Sequence, residues 1–108
     1  MAISPRIFGQ SKPTDTVNPS LLYIVPIGLS AQVSIFAGNQ TNGYDNFSIA
    51  IIPNGQTLSA ARYLAFNTPL VANGVFALSN IGMSGGYSIV VKSSGANVAF
   101  TATGMEFS

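Results

Sequence analysis

Residues 87–103 read YSIVVKSSGANVAFTAT. In the first half Tyr87, Ile89 and Val91 fall on every second position. In the second half Val98, Phe100 and Ala102 alternate with Ala99, Thr101 and Thr103. Side chains of an extended strand point to opposite faces in turn, so a two-residue period marks a strand with one face toward a core. The link between the runs, Ser93-Ser94-Gly95-Ala96-Asn97, is made of residues that favour turns.

The same grammar extends toward the N-terminus. Leu21, Tyr23 and Val25 share one face of a run at residues 20–25, closed by Pro26-Ile27-Gly28. At 31–37, Val33, Ile35 and Ala37 oppose Gln32, Ser34 and Phe36. A polar loop, residues 38–43, leads through Tyr44 to a run at 46–52, where Phe47, Ile49 and Ile51 oppose Ser48, Ala50 and Ile52. Pro53-Asn54-Gly55 ends that run. Leu58, Ala61, Arg62 and Ala65 have helical spacing, but residues 60–66 also alternate, and the strand-like surroundings favour a strand there. Further strands are expected near Leu70, at 75–80, and at the C-terminus, with Gly104 marking a bulge before Met105 and Phe107.

Pro5, Pro13 and Pro19 with Gly9 break the pattern at the start. Residues 1–19 are therefore expected as an extended N-terminal arm, with a short edge strand available at residues 3–8, and residues 20–108 as the folded domain. Its two meanings are a frayed terminus and a clamp onto a neighbour. Seven or eight strands at intervals of about 10 residues predict an all-β chain, a single antiparallel β-sandwich, either jelly-roll or immunoglobulin-like. A doubly wound α/β fold has no room for its helices.

Charge narrows the function. Only seven of 108 residues are ionised at neutral pH: Arg6, Lys12, Arg62, Lys92, Asp15, Asp45 and Glu106. That is 6%, against about 25% in ordinary soluble domains. Ser, Thr, Asn and Gln make up 33 residues and carry the polarity instead. A folded surface of roughly 5,700 Å² then holds about one charge per interface-sized patch, so it is cheap to desolvate. Such a surface suits a subunit packed against copies of itself or a scaffold. Four scattered cations provide no phosphate-binding track and no electrostatic hold on a membrane, so neither nucleic acid nor membrane is an expected partner. No apolar run reaches the ~18 residues of a transmembrane helix. The first residues lack the apolar core of a secretory signal, which implies synthesis in a cytoplasm.

The chain has no Cys, His or Trp. Serine nucleophiles therefore lack their usual imidazole base, and the three carboxylates share no motif, so no enzyme activity and no cofactor are expected. Asn39, Asn42, Asp45 and Asn46 offer oxygens, but one carboxylate does not make a calcium loop. The Gly-rich stretch 82–86 lacks the Lys and following helix of a phosphate loop. Two groups of residues remain as candidates. Phe36, Ile52 and Val90 are large apolar residues on presumed outer strand faces, and with Ile7 and Phe8 of the arm they are candidate assembly contacts. Tyr44, with Asn42, Asp45 and Asn46, is the one plausible platform for a sugar ring or receptor.

Several short motifs point one way together: Ile7-Phe8-Gly9-Gln10 with Pro13; Leu22-Tyr23-Ile24-Val25-Pro26; Gly38-Asn39 leading to Phe47-Ser48-Ile49-Ala50-Ile51; Arg62-Tyr63-Leu64; and Val98-Ala99-Phe100 running to Gly104. They resemble small virion structural proteins of tailed phages, notably those infecting marine bacteria and cyanobacteria. The resemblance spans most of the chain. It implies a one-domain β-sandwich and a non-enzymatic, homo-oligomeric place in the virion, with the major capsid protein or tail proteins as partners. Capsid decoration (cement) comes first among the implied roles, ahead of a tail, neck or fibre subunit or a receptor- or carbohydrate-binding module at a fibre tip. It brings no catalytic or metal residues.

Overall fold

The computed structural model describes residues 3–108 as eight strands: β1 (Ile3–Ser11), β2 (Ser20–Ile24), β3 (Ser30–Asn39), β4 (Asp45–Ile52), β5 (Tyr63–Leu70), β6 (Val75–Ser84), β7 (Ser88–Ser93) and β8 (Val98–Phe107). They form two four-stranded antiparallel sheets, ordered β1-β8-β3-β6 and β2-β7-β4-β5. The pairs β1–β8, β2–β7, β3–β6 and β4–β5 nest inside one another. The chain is thus one long hairpin, folded at the β4–β5 connection and rolled until β3 meets β8 and β4 meets β7. Eight strands in this order make a jelly-roll, and the immunoglobulin-like alternative is set aside by the strand order.

The core lies between the sheets. Alternate residues of β3 (Val33, Ile35, Ala37), β7 (Ile89, Val91) and β8 (Val98, Phe100, Ala102) are all but fully buried. Phe47 sits at the centre, its ring 4.9 Å from Phe76 and 6.4 Å from Phe100 in tilted contacts. Inward positions on these strands match the two-residue period of the sequence.

Four features depart from the sequence reading. The edge strand available at residues 3–8 forms and runs on to Ser11, paired with β8 in the first sheet, so that of the described residues in the extended arm 12–19 are the ones without regular structure. An edge strand has one unpaired side, which is why Pro5 is tolerated there. On β2 a register shift between Leu21 and Tyr23 turns Leu21 outward and buries Leu22 and Tyr23 together, so Leu21 leaves the face it was assigned. Residues 60–62 form a single 3-10 turn, and the expected strand starts only at Tyr63. Gly104 marks no bulge. Its register with β1 and β3 is unbroken, and at φ +148° a Cβ would collide with the carbonyl oxygen of Gln32. Only glycine lets β8 lie that close to β3.

The two sheets are joined along one side by β1 and β2. Phe8 stacks on Tyr23, with ring centroids 4.3 Å apart and planes within 10°. A side chain at Gly9 would run into the carbonyl oxygen of Leu22.

Candidate functional site

Register places the outer faces residue by residue. On the second sheet Leu21 pairs with Val90, Val90 with Ala50 and Ala50 with Tyr63. This is an apolar row crossing all four strands. Ile24, Ser88 and Ile52 form the neighbouring row. Leu21 is 59% exposed, whereas Ala50 lies fully buried between its larger neighbours. Phe66, 61% exposed, meets the edge of the Tyr63 ring at 4.8 Å and extends the apolar strip. Beside it, Leu58, Ser59, Ala60, Tyr63 and Phe66 line an open hollow of about 450 Å³, with no charged group in its wall. The nearest charge in the ladder is Lys92, opposite Ser48.

The outer face of the first sheet is neutral in another way. Its rows read Ile7–Thr103–Ser34, Gln10–Thr101–Phe36–Ala77 and Pro5–Met105–Gln32–Gly82. None contains a charged side chain. In these rows Ile7, Phe36 and Met105 are the exposed large apolar side chains, set among smaller or polar ones.

The predicted assembly residues thus divide. Ile52 and Val90 are neighbours in adjoining rows of the second sheet. Ile7 and Phe36 share the outer face of the first, so Phe36 does not form one patch with the other two. Phe8 is half-buried against Tyr23 and closes the core rather than offering a free contact. Leu21, Ile24, Tyr63 and Phe66 were missed. Leu21 was hidden by the β2 bulge, and the other three are given away only by the pairing of β2, β4, β5 and β7.

The predicted ligand loop behaves differently. The Asp45 carboxylate is buried and accepts four hydrogen bonds: Oδ1 from the N–H groups of Asn46 (2.8 Å) and Gly95 (2.8 Å), Oδ2 from the Ser93 hydroxyl (2.7 Å) and the Asn97 N–H (3.1 Å). Burial alone would raise its pKa, but these donors together hold it below the ordinary carboxylate value. Asp45 is therefore a clasp between β4 and the β7–β8 connection. Asn39 does similar work. Its Nδ2 donates toward the carbonyls of Gly43, Leu70 and Val71, and its Oδ1 accepts from the Thr41 N–H. The Asn42 side chain faces Asn73 at 3.5 Å. Tyr44 is left 74% exposed, and Asn42 and Asn46 are exposed too, whereas the carboxylate of Asp45 is taken up inside the loop.

Among the described residues no three His, Cys, Asp or Glu side chains converge as a metal site, and no helix is long and apolar enough to cross a membrane. Comparison of the chain with protein-family models, curated proteins and solved structures finds no match.

Proposed function

We propose that this chain is a non-enzymatic structural subunit of a phage virion, a capsid decoration (cement) protein that joins the particle through its neutral sandwich faces; a tail, neck or fibre subunit is the alternative. The observation that carries the reading is the Leu21–Val90–Ala50–Tyr63 row, an apolar stripe crossing all four strands of the second sheet, with Lys92 on β7 and Arg62 just before Tyr63 as the charges near it. Water gains by release from such a stripe, and little charge has to be stripped of its hydration when a second surface covers it. Jelly-rolls serve viral capsids, but also lectins and cupins, so the fold by itself does not choose. The phage-like motifs and the shortage of ionised groups favour the virion.

The test is made on purified particles. The chain is expected in gradient-purified virions, with averaged images showing its density at symmetry-repeated sites on the shell. Its absence from particles overturns the proposal, and density on the tail selects the alternative. Val90→Lys puts an unpaired cation into the stripe, and re-binding to particles stripped of the chain should weaken by about tenfold or more. Unchanged re-binding of the folded variant would remove the second sheet's outer face from the contact.

A further inference from the structure

A sandwich of two open sheets has four edges, and three of these are blunted. β1 carries Pro5 and a register shift between Ile7 and Gly9. β2 is five residues long, shifted in register and bracketed by Pro19 and Pro26. β5 carries Pro69, two register shifts and Asn67 at φ +46°. Such devices prevent edge-to-edge pairing. β6 is different: ten residues, VFALSNIGMS, with neither proline nor charge and one interruption, at Asn80 (φ +60°).

The free side of β6 can be identified. The Asn39 N–H donates to the Gly74 carbonyl at 2.9 Å, one step beyond the Gly38–Val75 pair. Both backbone groups of an antiparallel residue point the same way, so Phe76 and Leu78 bond to β3 while Val75 and Ala77 direct N–H and C=O outward. Among the described residues no side chain caps these outward groups, and the one backbone bond to β6 from beyond its own sheet comes from the Tyr87 N–H to the Ser84 carbonyl at the strand end.

We infer that β6 pairs with β6 of a second copy, antiparallel about a two-fold axis at Ala77, joining two first sheets into one eight-stranded sheet. A row of unpaired donors and acceptors is complementary to another strand, and an antiparallel edge is complementary to itself. A charged edge would repel its own image; this one bears no charge. Ala77 of the two copies then exchange both backbone bonds, and Val75 meets Ser79 of the second copy. The inference deepens the assembly reading and rests on it only in requiring that copies meet.

Light scattering should give twice the 11.2 kDa chain mass at micromolar concentration. Ala77→Pro removes one outward N–H without touching a bond to β3, and should return the protein to monomer mass. A wild-type monomer up to high micromolar concentration, or a folded Ala77→Pro variant still dimeric, overturns the inference. Should that variant not fold, hydrogen exchange on the wild type decides. The Val75 and Ala77 amides should be protected at high concentration and lose protection on dilution, while fast exchange at every concentration overturns the pairing. The two readings fail separately. Ala77→Pro joining particles as well as wild type sinks the β6 contact alone, and a β6-paired dimer absent from every particle sinks the virion role alone.

Discussion

The phenol of Tyr23 donates a 2.5 Å hydrogen bond to Oε2 of Glu106, 83 residues later in the chain. Both residues are buried, Tyr23 on β2 of one sheet and Glu106 on β8 of the other. A carboxylate in that setting needs donors, and this one ties the sheets together on the side where Phe8 covers the Tyr23 ring.

Tyr23→Phe keeps the ring stack and removes only the donor. It should lower unfolding free energy by about 1–3 kcal/mol, read as an earlier urea midpoint with unchanged slope. An unaltered midpoint would mean that the bond adds nothing to the closure.

Acid should loosen the Asp45 clasp. The folded-state pKa lies below the unfolded value of about 3.9, so the stabilisation is complete above that value and disappears as pH falls through the folded pKa. Asp45→Asn should cost about 1.5–3 kcal/mol at neutral pH, and its gap from wild type should shrink below about pH 4. Asp15, exposed and held low by the N–H groups of Asn18 and Val17, shifts both proteins alike and drops out of the difference. Parallel melting curves at every pH would contradict this role for Asp45.

Gly9→Ala should push β1 away from the Leu22 carbonyl. Overpacking of this kind costs about 1–3 kcal/mol, and exchange of the β1 amides should quicken more than that of β3. Uniform exchange rates across both strands would show that the approach of β1 to β2 is slack.

Deleting residues 2–11 bares the β8 edge and leaves Tyr23 without the Phe8 ring. The shortened chain should lose its cooperative melting transition by circular dichroism. A folded core that merely stops assembling would restore the clamp reading of the N-terminus.

Much of the sandwich is legible in the alternation of β3, β7 and β8, because one buried face leaves a two-residue period that nothing else on those strands disturbs. The edges are less legible. Leu21-Leu22-Tyr23 is apolar throughout, so no alternation shows which residue the bulge turns outward. Pro5 argues against a strand unless the strand is known to lie at an edge, and that depends on a partner about 100 residues away. The candidate site suffers from the same long range. Val90 and Ile52 are visible as outward apolar residues, but their union with Leu21 and Tyr63 is a property of pairing. Asp45 in a polar loop reads as a ligand until Ser93 and Gly95 are brought to it.

The nested pairing also has a timetable. β8 is flanked by β1 and β3, so the first sheet cannot close while Val98–Phe107 is still inside the ribosome. Vectorial synthesis thus leaves the earliest strand waiting for the latest. A nascent chain halted before Val98 should remain open to protease along β1 and β3, and protection should begin once Val98–Phe107 has emerged.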